Sequence, residues 1–367
     1  MEISSQPLDE KPLEESRIDW NSVKRVLVVR LRSIGDTVLS TPSLFALRRH
    51  LPDAQIDVLL EDWVAPILDG FGFVDNVITV SREGAVSRMK TAWSLRSSRY
   101  DVAYNLHGGT TATFFVRASG ARHRVGFKHY QYGFLYNHLA PSALEFWQQK
   151  KTHSAEQQLA LLGWTGVAVN DRPRTRLTAT EKAKASVGEK LKDVEEPFAL
   201  IHPTTAFETK QWATKNFARV VEELKKKNIS SIAIASPNES KVLEELKRES
   251  NAPVFTSTNF SLPEITALAS RAKLFVGNDS GIAHIAAAVQ TPCVVIFGSS
   301  NVAHWHPWTD APNEVVREDM PCAPCHGYFC AKFEKPECIR RVTVERVIDA
   351  VERILPSAEC RVRSAEF

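Results

Sequence analysis

The chain has 367 residues, 43% of them hydrophobic and 24% charged, with a formal charge of +3. That is room for two cores of ordinary size, and the composition excludes collagen, coiled-coil and wholly disordered classes. No run approaches the roughly 18 apolar residues of a membrane helix, and the acidic start MEISSQPLDEKPLEES lacks the basic and apolar regions of a secretion signal, which predicts a cytoplasmic protein.

Residues 1–20 hold two basic groups against six acids and are predicted to be a disordered tail. From Lys24 short β-branched runs alternate with longer amphipathic stretches, the pattern of a parallel sheet wrapped by helices. VKRVLVVRL (23–31) predicts a buried strand and DTVLSTPSLFALRRHL (36–51) the helix that returns over it. Pro42 falls six residues into that helix, where it should kink or break it. Further strands are predicted at 56–60, 74–80 and 101–108, with helices at 89–99 and 154–164. The polar, proline-bearing stretch 167–180 predicts a link. The pattern then restarts, with strands at 198–203, 230–236, 272–278 and 293–298 and helices at 212–228, 238–250, 280–289 and 342–355. The expected architecture is α/β: two Rossmann-like domains, 21–175 and 176–355, whose parallel sheets face each other across a cleft, followed by a tail at 356–367.

The near-neutral total hides one basic segment. Residues 80–153 carry eleven Lys/Arg against Glu83, Asp101 and Glu145, a net +8. A solvated face explains this blandly; the interleaved Tyr130, Tyr132, Phe134, Tyr136 and Trp147 would suit nucleic acid, but no nucleic-acid motif accompanies them, so no nucleic-acid partner is expected. Cys322, Cys325, Cys330 and Cys338 crowd into seventeen residues, a spacing that would suit a structural zinc with His326 as a spare ligand; reduced thiols are the plainer alternative.

Neither G-x-G-x-x-G nor a Walker A sequence is present, so the usual dinucleotide and P-loop marks are missing. Three loops after predicted strands carry the chemistry instead. In FVGNDSGIAHIAAA, Asp279, Ser280 and Gly281 stand where a strand meets a helix, a junction whose free N–H groups and dipole favour anions, and His284 lies one turn on. A plain N-cap at Asp279 or Ser280 explains the same residues. In IHPTTAFETKQW, Thr204 and Thr205 offer hydroxyls and Lys210 a cation at a strand's carboxyl end, where ligands of open α/β sheets bind. In RLRSIGD, Gly35 and Asp36 follow the first strand, and Asp36 is either a helix cap or a working carboxylate.

These segments, with PCVVIFGSSNVAHWHPW, resemble the motifs of glycosyltransferase family 9, the ADP-heptose:lipopolysaccharide heptosyltransferases, from about Lys24 to Leu355; details such as PTTAFETKQW resemble its side-branch heptosyltransferase III members. The resemblance implies a GT-B fold, ADP-heptose as donor, and an anionic lipid-linked core oligosaccharide as acceptor, handled by a protein in peripheral contact with the inner membrane. Carried over residue by residue, it implies Asp36 as catalytic base, Thr204, Thr205 and Lys210 as phosphate contacts, Glu239 at the ribose, and Asp279, Ser280, Gly281 and His284 in the donor loop. The acceptor would lie in the basic first half, with His107, Gly108 and Gly109 as contacts. The implied inverting transfer needs one carboxylate, and no Asp-x-Asp metal motif is present in these loops, so no obligatory cofactor is expected. A nucleotide-sugar epimerase of the same fold, another family 9 transferase with a different sugar or acceptor, and a non-catalytic binding module are the competing readings.

Overall fold

The structure is a computed structural model that describes residues 18–325 and 327–355; the rest of the predicted acidic tail, the stretch 356–367 and His326 lie outside the described residues. Ile18 and Trp20, assigned to the tail from sequence, are in fact packed. Ile18 is buried, and the Trp20 indole donates to Thr165 O at 2.8 Å and meets the His50 ring edge-on. The acids around them masked two apolar anchors.

Strands buried on both faces read as unbroken β-branched runs, and such runs form the centre of each sheet. The first sheet comprises β1 (Arg25–Leu31), β2 (Gln55–Glu61), β3 (Asn76–Val80), β4 (Val102–Asn105), β5 (His123–Phe127) and β6 (His138–Ala140), ordered β3-β2-β1-β4-β5-β6 and parallel throughout. Its helices are α1 (Ile34–Val38), α2 (Thr41–His50), α3 (Ala85–Ser97), α4 (Gly109–Ala118), α5 (Ala143–Trp147) and α6 (Ser154–Gly163). Leu44, Leu47, Leu159 and Leu162 of α2 and α6 cover Val26, Val28 and Val58, while Ala92, Leu95, Phe115 and Val116 of α3 and α4 cover Leu27, Val29 and Leu59.

The second sheet repeats this topology with β7 (Phe198–His202), β8 (Ser230–Ile234), β9 (Phe255–Ser257), β10 (Leu274–Asn278), β11 (Cys293–Phe297) and β12 (Asn313–Arg317), ordered β12-β11-β10-β7-β8-β9. Around it lie α7 (Glu181–Lys190), α8 (Thr214–Lys226), α9 (Ser240–Glu249), α10 (Leu262–Arg271), α11 (Gly281–Ala288), α12 (Val302–Trp305), α13 (Glu337–Arg340) and α14 (Val344–Ile354). In each sheet the chain winds one way and then the other, so a crevice opens at the carboxyl ends of two central strands: β1 and β4 in the first, β7 and β10 in the second.

The helix predicted over 36–51 is two. α1 ends at Val38, and Pro42 sits in the first turn of α2, where its missing N–H and fixed φ are no handicap. The short α1 packs against α11 of the other half. A Cβ added at Gly35 would lie 2.8 Å from His284 Cδ2, and one at Gly281 would lie 2.9 Å from Ile34 Cβ, so each glycine makes room for the opposite helix. The link after Val167 is fastened to both halves: Arg176 N donates to Thr41 Oγ1, and its guanidinium covers the Phe45 ring, while Thr175 N and Leu177 N donate to Trp308 O and Ala288 O.

Candidate active site

The two crevices face each other across the α1–α11 contact and enclose a cavity of about 570 Å³. Gly35 and Asp36 line it from the first half, and Thr205, Lys210, Glu239, Asp279, Ser280, Gly281 and His284 from the second. Residues some 250 positions apart in sequence thus share one wall. Thr204 stands behind it, buried, with its hydroxyl 3.3 Å from His202 Nε2.

The charged end of the cavity lies between β7 and β10. Lys210 Nζ donates to Asp279 Oδ2 at 2.8 Å, and the same carboxylate accepts from the Ser300 hydroxyl. Thr205 Oγ1 donates to Asp279 O at 3.4 Å. Ser280 is the N-cap of α11 by position, yet its side chain makes no capping bond; its hydroxyl lies 3.1 Å from His202 Nδ1. The plain N-cap explanation of this loop therefore fails for Ser280, and the first turn of α11 presents N–H groups to the cavity wall uncapped by a side chain. Two buried polar atoms here have no partner, His284 Nδ1 and Asn278 Nδ2. Burial lowers the His284 pKa, so its ring is neutral at physiological pH. Gly281 lines the cavity as expected, with a second reason for being glycine in the approach of Ile34.

The other end, beyond β8 and β9, is apolar: Phe207, Ile234, Phe260, Leu262 and Ile265. Glu239 sits at this side with Oε2 already accepting from Ser236 N at 3.1 Å and Ser236 Oγ at 2.6 Å. An apolar slot beside a lysine and a helix N-terminus suits a ligand with a flat ring at one end and an anion at the other.

Asp36 is the third residue of α1, not its cap. Its carboxylate is ion-paired with Arg30 and accepts from Ser33 Oγ at 3.0 Å. Arg30 was missed in the sequence; the available signal was a charge inside the buried run VLVVRL. It is only 5% exposed, and besides Asp36 it reaches His107, with its guanidinium 3.1 Å from Nδ1. Because arginine can only donate, His107 Nδ1 accepts, and burial together with the Arg30 charge keeps the ring neutral.

A second cavity, of about 450 Å³, adjoins on this side, lined by Arg30, His107, His129, Tyr130, Gln157 and Leu144 among others. Asp36 and Trp305 line both cavities. Gly108 and Gly109 are not in its wall. Both have positive φ, at 72° and 69°, and Gly108 N with His107 N donates to Asn105 Oδ1 at 2.8 and 3.0 Å, so this turn fixes His107.

Among the described residues no three His, Cys, Asp or Glu side chains, the four clustered cysteines included, converge as a metal centre. Cys338 is buried on α13 with Sγ 4.0 Å from Thr209 O, and Cys330 Sγ accepts from Phe333 N at 3.4 Å.

The model of Glycosyltransferase family 9 (heptosyltransferase) matches residues 88–335, about two thirds of the chain. The chain belongs to glycosyltransferase family 9. The matched span includes the Lys210 and Asp279 loops, and the Asp36 loop precedes it. Lipopolysaccharide heptosyltransferase 3 of Escherichia coli K12 is 29% identical over 345 residues, 89% of this chain and 96% of that protein. Lipopolysaccharide heptosyltransferase 2 of the same strain is 27% identical over 297 residues, 76% of this chain and 83% of that one. Among solved structures, a family 9 glycosyl transferase from Veillonella parvula superposes with a TM-score of 0.79 at 20% identity, covering 93% of this chain and 99% of that one. The E. coli ADP-heptose heptosyltransferase II gives 0.76 at 23% identity, covering 90% and 98%. The fold is GT-B, and the protein is a glycosyltransferase. The epimerase and non-catalytic alternatives give way to this family membership.

Proposed function

We propose that this family 9 enzyme is an inverting heptosyltransferase that moves heptose from ADP-L-glycero-D-manno-heptose to a lipopolysaccharide inner-core acceptor at the cytoplasmic face of the inner membrane. The observation that carries the proposal is the position of Asp36, whose side chain lines both the larger cavity and the adjoining one. A base between two chambers is where an acceptor hydroxyl must meet a donor carbon. The names of the curated relatives favour lipopolysaccharide as acceptor, and a related E. coli heptosyltransferase was solved with ADP.

In this reading residues 176–355 take the donor. The adenine lies among Phe207, Ile234 and Phe260, the ribose near Glu239, and the diphosphate against Thr205, Lys210, Ser280, Gly281 and the start of α11, with His284 beside the sugar. Thr204, buried behind the wall, supports the loop through His202 rather than touching the phosphates. Residues 21–175 take the acceptor, beside His107. Asp36 accepts the proton of the attacking hydroxyl as the new bond forms at the anomeric carbon, and the bond to the diphosphate breaks on the opposite side. One displacement inverts that centre, and ADP departs without a proton because Lys210 and the N-terminus of α11 meet its growing charge. Arg30 and Ser33 hold Asp36 in place. With that charge supplied by the chain, no divalent ion is required; activity lost in EDTA and restored by magnesium contradicts this.

The test is incubation with ADP-heptose and defined core acceptors, with the product read by mass spectrometry. One added heptose supports the proposal. A different sugar transferred, or consumption of ADP-heptose without acceptor, overturns it.

A further inference from the structure

α3 carries two separate apolar strips. Ala92 and Leu95 enter the core of the first sheet, whereas Val86, Met89 and Trp93, spaced three and four residues apart, form a stripe on the outer side with 69%, 61% and 76% of their surface exposed. A helix that buries one face in its own core needs no second one, and three exposed large apolar side chains in register form a patch rather than scatter.

The charges around the stripe say what covers it. Lys90 and Arg96 flank it on the same face of α3, Arg82 precedes the helix, and Arg117 lies on the adjoining α4 beside the half-exposed Phe114. Among the described residues, none of the eleven Lys/Arg of 80–153 takes part in an ion pair. An apolar stripe with Trp, rimmed by uncompensated cations, is complementary to an anionic lipid surface, which offers both acyl chains and negative headgroups. The placement suits the site as well. A cavity of about 120 Å³ at the root of α3 is lined by Arg32, Arg82, Arg88, Glu61 and His107, the last of which also lines the second cavity.

We propose that α3 is the membrane-docking element: it lies in the plane of an anionic bilayer with Trp93, Met89 and Val86 in the headgroup–acyl boundary and the flanking Lys and Arg on the headgroups. This deepens the proposed function, and it rests on that reading for a lipid-linked acceptor delivered beside His107.

The test uses the full-length protein and unilamellar vesicles of phosphatidylethanolamine with phosphatidylglycerol, or of phosphatidylcholine alone, read by co-sedimentation. The wild type should bind the anionic vesicles about tenfold more tightly than the neutral ones. Trp93→Ser with Met89→Ser should weaken anionic binding by about tenfold or more, and Lys90→Glu, which leaves the stripe intact, by about fivefold. The double variant should keep its kcat and KM on a soluble, de-acylated core acceptor and lose efficiency only on acceptor embedded in vesicles. The proposal is overturned if the wild type ignores anionic vesicles, if the double variant sediments like the wild type, or if the substitutions instead dissolve a dimer seen by light scattering. Stripe-dependent binding without heptose transfer to either acceptor leaves the docking surface standing and overturns the function.

Discussion

Lys210 and Asp279, on loops after β7 and β10, are ion-paired at 2.8 Å with the carboxylate only 6% exposed. The half-buried lysine is thus neutralised without a ligand, and in the proposed reading it also meets the diphosphate. Removing it should therefore do two separable things. Lys210→Met should slow transfer by about 10²-fold and weaken ADP binding in titration calorimetry, and it should also lower stability by roughly 3 kcal/mol by stranding Asp279. Adding Asp279→Asn should restore stability but not binding. Wild-type kinetics in the single variant contradict the phosphate role.

Asp36→Ala is expected to abolish transfer while ADP-heptose binding survives, because the base acts on the acceptor and not on the nucleotide. Near-normal turnover contradicts the assignment. Arg30→Met should leave the donor affinity unchanged and cut kcat by about 10²-fold, through loss of the ion pair that orients Asp36. An unchanged melting temperature and unchanged ADP-heptose affinity separate this from a simple loss of folding.

Gly35→Ala should lower the melting temperature and the rate together, since the new methyl meets His284 Cδ2 at 2.8 Å across the two halves. The expected cost is about 1–3 kcal/mol. Gly281→Ala meets Ile34 Cβ at 2.9 Å in the same manner, and pairing it with Ile34→Gly, which removes that atom, should recover part of the loss. Additive losses in the double variant count against a shared contact.

Stability should fall as pH drops below about 6.5. The His153 ring accepts from Ala155 N at Nδ1 and donates from Nε2 to His306 O at 2.9 Å, stacked on Trp308, and burial pulls its pKa down to about 2. Burial takes His202 down to about 4. Both histidines bind protons more readily in the unfolded chain, so their contribution is complete above the unfolded pKa and drains away as pH falls towards the folded one. Each should cost about 2 kcal/mol at about pH 5 in urea unfolding. His153→Asn, which keeps a capping acceptor for α6, should reduce that slope.

The KM for a core acceptor should rise several-fold with salt near and above about 0.1 M, where the Debye length drops to about 10 Å, while the KM for ADP-heptose moves less. Equal responses contradict a basic acceptor domain.

The centre of each sheet was legible because VLVVRL, FALIH, LFVGN and CVVIF are buried on both faces and lack alternation. Short strands were not: FTS in β9 and HLA in β6, both at sheet edges, have too few apolar residues to stand out from loops. α4 escaped notice because GTTATFFVRA is poor in strong helix formers and is held by the core contacts of Phe115 and Val116. In the site, loops following strands could be placed on one crevice because strand ends carry ligands in such sheets. Arg30 could not, because its partner His107 is 77 residues away and their meeting depends on β1 lying beside β4. The mutual fit of Gly35 and Gly281 likewise exists only between the halves.

Trp305 forms part of the wall of both cavities. A ligand that presses on this ring in one cavity alters the wall of the other, so donor and acceptor affinities are expected to differ when measured alone and together. Thermodynamic linkage then makes the effect mutual: the factor by which bound donor changes the affinity for acceptor equals the factor by which bound acceptor changes the affinity for donor.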